Sequence, residues 1–149
     1  MNVLSFDPGE TIGYAVLDHI EKEMPLLANF GVLNQLPEVW EILEDYGAGD
    51  EDILVVYEGF NLHSHRAQSQ IGSDFFTVKV IGVIDLWTEL TDTTTIVQTP
   101  AVGKSIWTDD KLRSYEYYVQ NKHTRDAIRH ALHALQIHRL PEVREHWND

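Results

Sequence analysis

The first seventeen residues constrain the fold most, because two apolar runs flank a tight turn there. The runs Val3–Phe6 and Ile12–Leu17 are rich in β-branched and aromatic side chains, and Asp7-Pro8-Gly9 lies between them. Proline cannot donate a hydrogen bond to a neighbouring strand, so the first strand is predicted to end at Asp7. Asp7 is then either an exposed turn acid or a ligand at the carboxyl end of a strand, where open α/β sheets hold ligands. Gly9 and Gly13 are expected to let the backbone approach a phosphate or a metal ion closely.

A second acid repeats this arrangement further along the chain. Ile53–Tyr57 is a short apolar run, typical of a strand buried on both faces, and Glu58 follows it directly. A carboxylate at the end of a buried strand is costly to desolvate unless it is paired or bound to a cation. Leu26–Leu33 and Thr94–Gln98 also read as strands, the former completing an antiparallel meander with the opening hairpin.

Helical periodicity separates the remaining segments. Apolar residues recur at helical spacing from Leu36 to Leu43, and Gly47–Asp50 is expected to end that helix. Further helices are predicted over Ala67–Leu90, Asp109–Val119 and His123–His138, and Gly82 in the first of these indicates close packing against another backbone. With no repeat, low-complexity tract or linker, residues 1–149 are predicted to form one α/β domain.

The predicted last helix begins with two further candidate ligands. His123 and Asp126 are three residues apart, so they project from the same side of the helix. Taken singly, His123 could be a neighbour of the helix cap and Asp126 a surface acid that interacts with the helix dipole. Together with Asp7 and Glu58 they form an oxygen-rich set that suits Mg²⁺ or Mn²⁺ better than Zn²⁺.

Charge limits the partners that such a site could have. The formal charge is −13, and phosphate binding needs Lys and Arg side chains. Residues 1–100 carry 17 acidic and 3 basic side chains, whereas residues 101–149 carry 7 acidic and 8 basic ones. A polyanionic partner is therefore expected to meet local basic patches in the last third of the chain. The absence of cysteine excludes disulfides and thiolate metal sites, and no apolar run is long enough to span a membrane.

In combination, these motifs resemble the RuvC-like Holliday junction resolvases of the RNase H-like superfamily. The resemblance rests on the opening strand with Asp7-Pro8-Gly9 and Gly13, on Tyr57-Glu58-Gly59-Phe60, and on His123-Thr124-Arg125-Asp126-Ala127. Lys104 after Pro100 is similar to the lysine that follows the fifth strand of that family. The motifs are short, and it is their order and spacing over most of the chain that is specific.

The resemblance implies a five-stranded mixed sheet, with an antiparallel meander of the first three strands, two parallel strands and flanking helices. It also implies a Mg²⁺-dependent endodeoxyribonuclease, with Mn²⁺ as a possible substitute, that cuts Holliday junctions or other branched DNA with two metal ions per active site. A homodimer is expected, because two-fold symmetry pairs two active sites on a symmetric junction. The expected setting is the cytoplasm of a bacterium or of a phage-infected host, with no membrane partner.

The same resemblance assigns roles to individual residues. Metal ligands are expected at Asp7, Glu58, His123 and Asp126, and Lys104 is expected near the scissile phosphate, these five forming the catalytic set. DNA contacts are expected from Phe60, as a wedge that stacks on an unpaired base, and from His63, His65, Arg66, Lys104 and Arg125. A core position for Phe60 and an exposed, idle Lys104 are the plain alternatives.

Two other functions remain open at the level of sequence. The RNA-processing YqgF-type nucleases share the opening hairpin and a late aspartate. A non-catalytic relative could use its acidic surface to bind a basic partner. Two features depart from the family that the motifs resemble: the high acidity, and a segment between Lys104 and Asp126 that looks shorter than in the bacterial enzymes. If this segment shapes the DNA channel, the preferred substrate is expected to shift toward flaps, forks or other branched DNA.

Overall fold

The computed structural model describes residues 1–19, 23–49, 52–59 and 67–138, and in the last range it describes side chains from Phe75 to Ile137. The strands are β1 (Asn2–Asp7), β2 (Ile12–Asp18), β3 (Leu26–Leu33), β4 (Ile53–Glu58) and β5 (Thr94–Gln98). The helices are α1 (Leu36–Gly47), α2 (Ala67–Thr91), α3 (Asp109–Ser114) and α4 (Lys122–His138).

The five strands form one mixed sheet in the order β3-β2-β1-β4-β5. The first three strands are an antiparallel meander, and β4 and β5 run parallel to β1, so the predicted sheet is confirmed. As predicted, β1 ends at Asp7. Every residue of β1 from Val3 to Asp7 is buried, because β2 and β4 flank this strand and helices cover both faces of the sheet.

The alternation of side chains along the strands divides the core into two layers. On one face, Val3, Leu54 and Val56 pack against α4, which contributes the small residues Ala127 and Ala131 and the larger Ile128, Leu132 and Leu135. On the other face, Leu4, Phe6 and Val55 pack against α1 and α2, where Leu43, Ile84 and Trp87 are buried.

Strand register places three polar side chains at one edge of the sheet. Phe6 pairs with Tyr57, and Glu58 pairs with Gln98, so the carboxyl ends of β1, β4 and β5 are aligned. Since Asp7 follows the same alternation as Val3, and Glu58 the same alternation as Val56, these carboxylates lie on the face that α4 covers. The sheet therefore places Asp7, Glu58 and Gln98 next to α4.

Two helix predictions need correction. The helix from Asp109 ends at Ser114 and does not reach Val119, because Glu116 has a positive φ of 64° and turns the chain. Tyr117 then enters the core, and its hydroxyl donates to the Pro25 carbonyl oxygen at 2.5 Å. The prediction of close packing at Gly82 is also wrong: apart from its two chain neighbours and the nearby backbone of its own helix, no described atom lies within 4 Å of the position that a Cβ would occupy there.

The longest of these helices, α2, has 25 residues and contacts α1 and the sheet. None of the helices in the described part of the chain is both long and apolar enough to cross a lipid bilayer.

Candidate active site

Gly13 allows the start of α4 to lie directly on the sheet. Gly13 pairs with Asp7 across β1 and β2, and a Cβ at position 13 would lie 2.1 Å from the carbonyl carbon of His123. The close approach expected at Gly13 is therefore made by the protein's own helix. The Asn121 side chain caps α4 by accepting from the backbone N–H groups of His123 and Thr124, at 3.0 and 3.1 Å.

A second bond fixes the same end of α4 to the sheet. The Thr124 hydroxyl, which is buried, donates to the Gly31 carbonyl oxygen of β3 at 2.8 Å. The cap, the glycine contact and this hydrogen bond together set the position from which α4 presents His123 and Asp126.

Three carboxylates converge where α4 meets the ends of β1 and β4. Asp7 and Asp126 are buried, and the Glu58 side chain is 18% exposed. Burial, followed by repulsion from Glu58 and Asp126, raises the pKa of Asp7 to about 8. In the metal-free protein Asp7 therefore keeps its proton to a higher pH than an ordinary carboxyl group does, and Glu58 also raises its pKa as a hydrogen-bonding partner.

His123 lies beside this cluster at the solvent boundary. Its Nδ1 is 3.1 Å from Asp7 Oδ2, and its side chain is 47% exposed whereas that of Asp7 is 9% exposed. This imidazole is more exposed than the Glu58 side chain, which also lies beside Asp7. Its position suits proton exchange with solvent or with a bound substrate.

His130 joins the site, although sequence reasoning missed it. The residue is 1% exposed; its Nε2 is 3.0 Å from Glu58 Oε2 and its Nδ1 is 2.8 Å from Gln98 Oε1. A signal was present in the sequence, because His130 follows His123 by seven residues and Asp126 by four, which places all three on one face of a helix. Gln98, at the end of β5, carried no comparable signal.

Asp126 faces basic side chains on its other side. Arg129 Nη1 is 2.9 Å from Asp126 Oδ1, and Lys104 Nζ is 3.6 Å from Asp126 Oδ2. Arg129 is buried and is fixed further by donating from Nε to the Trp107 carbonyl oxygen at 2.7 Å and from Nη2 to Asp109. The Lys104 side chain is 46% exposed, so it can move to a ligand.

The Arg125 guanidinium lies away from the three carboxylates. Its Nε is 3.3 Å from Asp109 Oδ1, its Nη1 is 3.0 Å from the Tyr118 hydroxyl, and its Cζ is 4.9 Å from the Tyr118 ring centroid. Arg113 lies over the same ring at 4.0 Å. These groups surround a pocket of about 590 Å³ next to Asp126, lined by Lys104, Thr108, Asp109, Asp110, Arg113, Lys122, Arg125, Asp126 and Arg129.

The donor set fits a divalent cation. Burial and repulsion from Glu58 and Asp126 raise the pKa of Asp7, so a positive charge between the three carboxylates would stabilise them, and oxygen ligands suit Mg²⁺ and Mn²⁺. No three acidic or imidazole side chains in the described part of the chain already converge as the ligands of one ion. In the metal-free arrangement Asp126 bonds Arg129, and Asp7 bonds His123.

Four of the predicted DNA contacts cannot be placed. Phe60, His63, His65 and Arg66 lie outside the described residues. Of the other predicted site residues, the structure brings together Asp7, Glu58, His123, Asp126 and Lys104 and sets Arg125 in the adjoining basic pocket.

The sheet order, with α4 packed across β1 and the acids at the carboxyl ends of β1 and β4, defines an RNase H-like fold of the RuvC type. The chain is similar to RuvC of Thermus thermophilus, with a TM-score of 0.67, 16% identity, and coverage of 89% of this chain and 92% of that one. The same protein in complex with a Holliday junction substrate gives a TM-score of 0.68 at 15% identity, covering 89% and 91% of the two chains.

A viral resolvase is also similar to this chain, with a lower TM-score. The fowlpox virus Holliday junction resolvase has a TM-score of 0.58 at 16% identity, with 91% of this chain and 98% of that one covered. No family model and no curated protein matches the sequence. The resemblance to RuvC-like proteins that the motifs indicated is thus confirmed at the level of fold.

Proposed function

We propose that this protein is a metal-dependent endonuclease that cuts branched DNA, with Holliday junctions as the first substrate to test. The observation that carries the proposal is the convergence of Asp7, Glu58 and Asp126 at the carboxyl edge of the sheet, where burial and then repulsion from the other two acids raise the pKa of Asp7 to about 8. The similar folds of RuvC and the fowlpox resolvase, both solved with Holliday junctions, support the choice of substrate.

Asp7, Glu58, Asp126 and His123 would hold two Mg²⁺ ions, or Mn²⁺ in their place. Such ions supply Lewis acidity and activate water for phosphodiester hydrolysis. Side chains of the protein supply proton transfer and charge neutralisation. His123, half exposed beside Asp7, accepts a proton at Nδ1 or Nε2, and Lys104 turns from Asp126 to neutralise the scissile phosphate. Cleavage is proposed to leave 5′-phosphate ends.

The basic pocket next to Asp126 offers a way for an acidic protein to bind DNA. Five Lys or Arg side chains and three Asp side chains line it, a local excess of positive charge in a chain of net charge −13. Asp126 belongs both to this pocket and to the acid cluster, so a strand cut at the cluster would continue along the pocket. We place the backbone contacts of Lys104 and Arg125 there.

A homodimer would use the outer face of α2. Apolar side chains are exposed on this helix at Phe75 (63%), Val78 (50%), Leu86 (53%) and Leu90 (70%), and Gly82 is open on the same helix. Their spacing of three or four residues makes a continuous stripe, which is the pattern of a helix that packs on a partner helix. Two copies joined in this way would present two active sites to a junction.

The decisive experiment is a cleavage panel with Mg²⁺, Mn²⁺ or EDTA. The substrates are a four-way junction, a replication fork, a flap, a linear duplex and a structured RNA. Metal-dependent cutting of the junction is expected to exceed cutting of the duplex, with paired nicks in opposing strands. Preferential cutting of RNA would support the YqgF-type alternative and contradict the proposal.

Substitutions tie the activity to the site. Asp7→Asn and Glu58→Gln are expected to abolish cleavage while junction binding, measured by gel shift, remains. Asp45→Asn, which removes an exposed acid on α1, is the matched control and should cut normally. Junction binding without cutting by the unchanged protein in either metal would favour a non-catalytic relative, and full activity of Asp7→Asn would disprove the site.

A further inference from the structure

His130 bridges the ends of two strands beneath the acid cluster. It belongs to α4, is 1% exposed, and lies between Glu58 of β4 and Gln98 of β5, which are direct partners in the sheet. Its two ring nitrogens contact these side chains at 3.0 and 2.8 Å. A buried imidazole with both nitrogens engaged has a single orientation, so its contacts define the orientation of its neighbours.

Glu58 is the partner that needs orienting. Its carboxylate sits on a flexible side chain next to Asp7. Among the described residues, its hydrogen bonds come from Asp7 and His130. A carboxylate accepts hydrogen bonds, so His130 Nε2 is the donor, and it fixes Oε2 on the side of α4.

Gln98 holds the imidazole itself. Its amide can present either an oxygen or an NH₂ group to Nδ1, so it secures the plane of the ring with Nδ1 protonated or not. The aligned register of Glu58 and Gln98 supplies the span that one imidazole fills. A series of side-chain hydrogen bonds therefore links Gln98 to His130 and His130 to Glu58.

We propose that His130 is a positioning residue that holds Glu58 in the orientation required to bind the metal ion. The inference rests on the proposed metal-dependent function and deepens it. His130 touches neither substrate nor metal; it acts through Glu58, as the hydrogen-bonding partners of metal ligands do in other proteins. Removing such a partner lowers metal affinity by about 10–100-fold.

A pair of substitutions separates the two contacts of the ring. In His130→Gln the amide nitrogen replaces Nε2, which keeps a donor for Glu58. In His130→Asn the amide nitrogen replaces Nδ1, which keeps only the contact with Gln98. Mn²⁺ affinity, measured by calorimetry on the full chain, is expected to fall about 10–100-fold in His130→Asn and to stay near that of the unchanged protein in His130→Gln. Ile128→Val, which loosens packing on the same helix, controls for general destabilisation and should bind Mn²⁺ normally.

Cleavage kinetics give a second readout that lost stability would not move. His130→Asn is expected to need more Mn²⁺ for half-maximal rate and to regain most of the rate at saturating Mn²⁺, with circular dichroism showing a folded protein. Equal Mn²⁺ affinity in the unchanged protein and His130→Asn would overturn the role of His130 and leave the proposed nuclease intact. Failure of the unchanged protein to bind Mn²⁺ would overturn both.

Discussion

Gly13 of β2 and His123 of α4 approach so closely that no side chain fits between them. A Cβ at position 13 would lie 2.1 Å from the carbonyl carbon of His123 and 2.5 Å from the nitrogen of Thr124. Backbone atoms cannot yield as the end of a flexible side chain can. The position of α4 therefore depends on the absence of a side chain at Gly13. The positions of His123 and Asp126 depend on it in turn.

Gly13→Ala is expected to push the start of α4 away from the sheet. We expect a loss of about 1–3 kcal/mol in the free energy of unfolding, measured with urea, and a loss of cleavage larger than the fall in stability explains. Asp45→Ala on the exposed face of α1 is the control: it also introduces an alanine, and it should change the free energy of unfolding by no more than about 0.5 kcal/mol. An active, equally stable Gly13→Ala protein would contradict this packing.

The raised pKa of Asp7 predicts a pH dependence of stability in the absence of metal. The folded protein keeps this proton up to about pH 8, whereas the unfolded chain releases it near the ordinary value of 3.8. The contribution of Asp7 to stability therefore falls as the pH rises from about 4 to 8.

Comparison with Asp7→Asn isolates this contribution. Urea unfolding in EDTA should show that the variant gains stability relative to the unchanged protein between pH 5 and pH 8, and that added Mn²⁺ stabilises only the unchanged protein. A difference between the two proteins that is constant over this pH range would show that Asp7 titrates normally.

Lys104→Met should separate chemistry from ion binding. The Lys104 side chain is half exposed and 3.6 Å from Asp126, so its loss leaves the core intact but removes positive charge at the proposed phosphate position. We expect kcat for junction cleavage to fall about 10²-fold or more, the size of effect seen when one charge-stabilising donor is removed, while Mn²⁺ affinity holds. Lys104→Arg keeps the charge and should retain part of the rate. A Met variant with normal kcat would exclude the lysine from the reaction.

Leu86→Glu tests the apolar stripe of α2. This side chain is 53% exposed, and a carboxylate there would be desolvated in a dimer interface but harmless in a monomer. Light scattering should show the mass falling by half, with loss of paired nicks. Leu26→Glu, at a side chain 66% exposed on β3, should change neither property. If both variants match the unchanged protein in mass, α2 is not the dimer surface.

Much of the fold could be predicted because its signals are local. Pro8 ends β1 after Asp7, and the β-branched run Thr94–Gln98 gives β5 its bounds. The helix predicted from Asp109 to Val119 ends at Ser114 instead. The sequence did not show this end, because it depends on a contact with a residue that is distant in the chain. Tyr117 leaves the helical path to donate to the Pro25 carbonyl oxygen, 92 positions away in sequence.

The candidate site shows the same division. Asp7 and Glu58 could be predicted because each directly follows an apolar run that forms a strand. His130 could have been found from its spacing of four residues from Asp126 on one helix face. The contact of Gly13 with His123 and the pairing of Glu58 with Gln98 could not, because both follow from packing between segments that are remote in sequence.

The placement of α4 has a consequence for the protein's synthesis. His123 follows Asp7 by 116 positions, and the neighbours His123, Asp126 and His130 all belong to a helix that ends at His138. A growing chain therefore has no complete candidate site while this helix is still inside the ribosome. The proposed activity cannot begin until nearly the whole described fold has been made.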